Sequence, residues 1–115
     1  MRVLLDTNLL IDGRLDHPGH EAFVSSLTYA ELENGVVVTC DPQQRFFGTG
    51  LPFDDDAAEA YGTIVQLVIA QGRTPRRRIA DLMIAAIALA NGAGIITRNA
   101  GDFAGLERLV RIIPA

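Results

Sequence analysis

The sequence contains no lysine. All ten basic residues are arginine, set against fourteen Asp and Glu, for a formal net charge of −4. A chain of that sign lacks the broad basic surface on which many nucleic-acid binders rely. It leaves room for an acidic enzyme whose bound metal ions, rather than its surface, face phosphates. Cysteine is nearly absent too: Cys40 stands alone, so no intrachain disulfide can form and a reducing, cytoplasmic setting is expected. Cys40 reads as a small packed side chain rather than a reactive thiol. No apolar stretch approaches the roughly 18 residues that a membrane span needs. The first residues show no charged region ahead of an apolar segment and a cleavage site, so no secretory signal is expected. Internal repeats, low-complexity tracts and linkers are also missing.

What is present is apolar and patterned. At 115 residues and 49% hydrophobic, the chain can bury a core and is expected to form one domain over 1–115. Val3, Leu4 and Leu5 read as a strand buried on both faces. A short helix from Asn8 to Gly13 follows, then a weaker strand over Phe23–Leu27 and a helix from about Tyr29. Residues 41–50 are broken by Pro42, Gly48 and Gly50 and read as loop, and "LPF" at 51–53 as a short third strand. Asp54 is placed to cap a helix that Gly72 closes, with Asp55 and Asp56 in its first turn, where the helix dipole favours anions. In that helix Tyr61, Ile64, Val65 and Val68 recur at helical spacing, a core stripe with one edge available to a second copy.

"RTPRRR" at 73–78 is a charged connector into "IADLMIAAIALANG", which is apolar almost all round and hence a buried helix. "AGIIT" at 93–97 is a strand, "RNAGDFAGLE" a turn and short helix, and "LVRIIP" a last strand ended by Pro114. Strands and helices in alternation predict a three-layer α/β fold, a short parallel sheet flanked by helices in the Rossmann-like manner. Such folds place ligands at the C-terminal ends of their strands.

Four acids stand at those corners: Asp6 after the first strand, Glu31 in the helix after the second, Asp81 opening the buried helix, and Asp102 after the late strand. Gathered in one pocket they would repel each other unless a cation sat among them. Mg²⁺ and Mn²⁺ prefer oxygen ligands of this kind. One or two such ions could activate a water and stabilise the leaving oxygen of a phosphodiester. Three of the acids also have a structural reading. Asp102 could cap "FAGLE", Glu31 could complete a capping box with Thr28, and Asp6 could cap the helix at Asn8. Asp81 lacks that excuse, because a charge at the start of so apolar a helix is costly without a partner.

"LLDTNLLID", "SSLTYAELENG", "IADLMIAAIALANGAGIITRNAGDF" and "RIIP", in that order and spacing, resemble the PIN-domain ribonucleases. The likeness is nearer still to the VapC-type toxins of bacterial toxin–antitoxin pairs. The resemblance implies that Asp6, Glu31 (rather than Glu33), Asp81 and Asp102 are catalytic metal ligands. It makes Thr7, Asn8, Thr97 and Asn99 the polar groups that support them. It also implies a PIN-like fold, a homodimer, Mg²⁺- or Mn²⁺-dependent endonucleolytic cleavage of RNA, and a small antitoxin whose tail covers the site. The sequence departs from the pattern between Gly13 and Phe23 and after Gly35, where short segments leave little room for helices that help form the antitoxin groove.

Arg76, Arg77 and Arg78 before Asp81, and Arg98 beside the last corner, are candidates for RNA phosphates, with a solvated connector as the alternative. His17 and His20 flank a Pro-Gly turn, but no Cys or further His completes a zinc set with them. Two other functions compete. An aspartyl-phosphate phosphatase needs a second acid two residues after Asp6, where Asn8 stands, and the absence of lysine also weighs against a receiver domain. The remaining competitor is a PIN-like interaction module without activity.

Overall fold

The computed structural model describes residues 1–11, 17–35 and 47–115. Cys40, Gly13 and most of the 41–50 loop lie outside them, as do the parts of the two short segments at 12–16 and 36–46. Among the described residues four strands form one sheet: β1 (Arg2–Leu5), β2 (Glu21–Phe23), β3 (Gly94–Thr97) and β4 (Ile112–Pro114). Their order is β2-β1-β3-β4 and every pairing is parallel. Among the described residues, α-helices run over Thr7–Ile11 (α1), Ser26–Gly35 (α2), Asp55–Ala70 (α3) and Ile79–Ala90 (α4).

Alternation along the central strands builds the three layers. On one face Leu4 and Ile95 pack with Ala57, Ile64 and Val68 of α3 and with Leu82 and Ile84 to Ala88 of α4. On the other, Val3, Leu5 and Ile96 pack with Leu9 and Leu10 of α1 and Tyr29 and Leu32 of α2. Helix α4 buries six residues, Leu82 and Ile84 through Ala88, so its nearly continuous apolar sequence is spent on the core. Each such Leu or Ile contributes about 1.5–3 kcal/mol when withdrawn from water. No helix among the described residues is long and apolar enough to cross a membrane.

Helix ends follow their sequence signals. Asp54 Oδ1 accepts from the Ala57 N–H at 3.0 Å and caps α3. Gly72, at φ +76°, ends it: the Gly72 N–H reaches Ile69 O and the Arg73 N–H reaches Val68 O, the Schellman arrangement.

Four expectations are corrected. The second strand is Glu21–Phe23, not 23–27, and α2 begins at Ser26 rather than near Tyr29. The cause is Ser25, whose Oγ accepts from the Thr28 N–H at 3.0 Å and caps the helix there. The expected strand at 51–53 reduces to one bridge between Ser25 and Leu51, because Pro52 has no N–H for a further rung. The last strand starts at Ile112, the preceding residues being folded into turns by bonds such as Val110 N–H to Leu106 O.

Candidate active site

The sheet order reverses between β1 and β3, and the crevice at their C-terminal ends is where such a fold receives ligands. Asp6 sits at that point. Its own N–H still donates to Ile96 O at 3.0 Å, so its backbone is locked to β3 before the chain turns into α1. The side chain is only 6% exposed. Asp6 Oδ1 accepts from the Thr7 N–H at 2.8 Å, and Oδ2 accepts from the Thr97 hydroxyl at 2.7 Å. Thr97 is fully buried at the end of β3, and its oxygen in turn accepts from the Asn99 N–H at 3.0 Å.

A second hydroxyl relay serves Glu31. Thr7 Oγ1 donates to Glu31 Oε1 at 3.0 Å and lies 3.4 Å from the buried Thr28 hydroxyl, which Ser25 Oγ approaches at 3.1 Å. Ser25, not Thr28, caps α2, so the capping-box reading of Glu31 falls: Glu31 is turned toward Thr7 on the neighbouring helix. Thr28 and Ser25 were not among the site candidates. Their signal was the "SSLT" cap, which fixes the turn of α2 from which Glu31 projects.

Asp81 lies in the first turn of α4, half-buried. Burial, and after it the charges of Asp102, Asp6 and Glu31, push its carboxyl from the ordinary 3.8 up to about 6, with the Arg78 guanidinium opposing. All four acids therefore share one electrostatic environment. Asp102 is inside a 3-10 turn (Ala100–Phe103) whose leading residue is Asn99, so it is not the cap of "FAGLE". That turn is gripped from the connector before α4. Arg78 Nη1 donates to Gly101 O and Asp102 O at 3.2 and 2.8 Å, and Arg73 Nη1 donates to Ala104 O at 2.7 Å.

Asn8 and Asn99 are exposed, and so are Arg76, Arg77 and Arg98. Arg77 lines a cleft beside Asp102 together with Arg73 and Arg78. His17 and His20 line a different cleft with Ile96, Ile113 and the last two residues. Among the described residues no three His, Cys, Asp or Glu side chains are drawn together tightly enough to hold an ion as they stand. The four acids are electrostatically coupled without closing into a ligand shell.

The PIN domain family model matches residues 3–109. No curated protein matches the chain. Among solved structures, a member of the VapBC family of toxin–antitoxin systems, VapBC-5 from Mycobacterium tuberculosis, is 31% identical. Its TM-score is 0.79, and the match covers 99% of this chain and 98% of that one. DNA-bound VapBC from Salmonella typhimurium is 25% identical at a TM-score of 0.69, with the same coverage of 99% and 98%. VapBC-1 from nontypeable Haemophilus influenzae, at 24% identity, shares the fold with a TM-score of 0.77 over 99% and 98% of the two chains. The match over nearly the whole chain, on a parallel sheet with its acids gathered at the switch point, places this protein in the PIN-domain family, among the VapC-type toxins.

Proposed function

We propose that the protein is a metal-dependent endoribonuclease, the toxin of a toxin–antitoxin pair. One observation carries the reading: Asp81 is half-buried and faces Asp102, Asp6 and Glu31, so that burial first and then their charges raise its proton affinity, with Arg78 as the opposing charge. Such a concentration of negative charge is costly to the fold and is useful where a cation binds.

The donor set fits Mg²⁺ or Mn²⁺, since it is composed of carboxylate oxygens alone. Asp6, Glu31, Asp81 and Asp102 would hold the ion, which supplies water activation and charge neutralisation for phosphodiester hydrolysis. Thr97 fixes Asp6 in one orientation, and Thr7 ties Glu31 to the same edge. Arg78 holds the Asp102 turn through its backbone carbonyls. Glu31, exposed on a flexible side chain, is the acid most able to swing onto the ion.

The similar structures are VapBC assemblies, and the Salmonella one is bound to DNA. They support an antitoxin as this chain's partner. A homodimer would use the outer edge of α3, where Ile69 is 58% exposed beside the core stripe.

The test is cleavage of RNA by the purified chain with Mg²⁺ or Mn²⁺, against EDTA and Asp81→Ala. Loss of cleavage in both controls is expected. Cleavage at the wild-type rate by Asp81→Ala would sink the assignment. A folded wild type that cuts nothing and binds no Mn²⁺ would instead favour the inactive interaction module.

A further inference from the structure

A cleft of about 240 Å³ opens between the end of α3, the connector and residues 104–106. Its floor and walls differ sharply in chemistry. Val68, Leu82 and Leu106 lie behind its floor, almost wholly buried in the core, while Arg73, Arg77, Arg78 and Thr74 supply positive charge and a hydroxyl. Asp102 lines it as well, so the cleft adjoins the acidic centre.

Two of the arginines are immobilised. Arg73 and Arg78 each use one guanidinium nitrogen on backbone carbonyls of residues 101–104, which holds them in place while leaving further N–H donors on each group. Gln71 adds a bond from Nε2 to Gly105 O at 2.8 Å, so the wall itself is braced. In a chain with net charge −4, three arginines around one cleft are a marked local reversal. Anchored guanidinium groups recognise phosphate well because their geometry is set in advance.

We infer that this cleft is a phosphate subsite of the substrate strand: Arg73, Arg77 and Arg78 take the phosphate that neighbours the cleaved one. The assignment rests on the nuclease reading above and refines it. Arg76, although part of the same arginine run, does not line the cleft and is outside the subsite.

Binding of a fluorescein-labelled single-stranded RNA decamer, followed by anisotropy in EDTA so that the strand stays intact, tests it. Arg77 takes no part in the carbonyl bonds that brace the wall, so Arg77→Glu should fold normally; Arg77→Gln serves if it does not. Arg77→Glu should weaken binding about tenfold and reduce the salt slope by about 0.7. Arg76→Glu, the same charge change one residue away, should weaken it no more than about twofold. Inorganic phosphate should displace the RNA at about tenfold lower concentration than chloride at equal ionic strength, because only phosphate matches the anchored guanidinium groups. Equal losses for the two charge reversals, no loss for Arg77→Glu, equal potency of the two competitors, or no RNA binding by the wild type would each overturn the subsite. The two readings fail separately. Arg77-dependent binding without any cleavage would remove the nuclease and leave the subsite. Cleavage with binding indifferent to Arg77 would do the reverse.

Discussion

The hydroxyl of Thr97, fully buried at the end of β3, donates to Asp6 Oδ2 at 2.7 Å across 91 residues of sequence. This bond ties the two central strands together at the point where the sheet order reverses, and it sets the direction in which Asp6 presents its other oxygen.

Thr97→Val keeps the shape and removes the donor, leaving a buried carboxylate oxygen unpaired. The variant should lose about 1–3 kcal/mol in urea denaturation. Its Mn²⁺ affinity by isothermal titration should fall about 10–100-fold, the usual cost of releasing a ligand's orienting partner. Thr97→Ser should recover most of both. If Thr97→Val binds Mn²⁺ like the wild type, the orienting role is wrong.

Thr7 acts on Glu31 at a more open position. Its hydroxyl donates at 3.0 Å to a side chain that is otherwise exposed, so little stability depends on it. Thr7→Val should lower the unfolding free energy measured in urea by less than about 1 kcal/mol. RNA cleavage under saturating Mg²⁺ should nevertheless drop about tenfold, because Glu31 must then be ordered at each turnover. An unchanged rate would show that Glu31 needs no such positioning.

The elements that the sequence made legible are those with one dominant driving force. β1, α4 and β3 are runs of apolar residues with polar ends, and burial alone decides them. β2 starts two residues and ends four residues earlier than expected because Val24 and Ser25 are as buried as a strand interior, while a hydroxyl-to-amide bond at Ser25 starts the helix. Asp81 was conspicuous for its apolar neighbours. Glu31 was ambiguous until the position of the α2 cap settled which residue begins that helix. Arg73 and Gln71 had no signal at all. They bond to backbone carbonyls more than 30 residues away, and a carbonyl is the same at every position of the chain.

The cap at Asp54 provides a control remote from the chemistry. Asp54→Ala removes the acceptor for the Ala57 N–H and should cost about 1 kcal/mol. That corresponds to a fall of roughly 4 °C in Tm by calorimetry. Cleavage measured well below Tm should not change. A large loss of activity would mean that α3 is coupled to the site more tightly than its packing implies.

Asp81 carries the sharpest expectation, because stability and activity should move in opposite directions. Its carboxyl titrates near 6 in the folded chain and near 3.8 when unfolded, so the native state holds the proton more tightly. The sign follows: in metal-free protein this group's contribution to stability is complete below about 3.8 and is lost as pH rises through about 6. At pH 7.5 the ionised carboxylate is therefore a burden. Asp81→Asn should relieve it by roughly 1 kcal/mol once solvent screening of a half-exposed group is allowed for. In EDTA, urea denaturation should find the variant equal to the wild type at about pH 4 and more stable at about pH 7.5. Mg²⁺ should reverse the order by stabilising the wild type through binding that the variant lacks. RNA cleavage by the variant should match the EDTA control. Helix α4 does gain something from an anion in its first turn, about 0.3–1 kcal/mol, and the raised proton affinity means that burial and repulsion together outweigh it. A variant less stable than the metal-free wild type at pH 7.5 would show that the crowding of acids around Asp81 is not a cost that a cation removes.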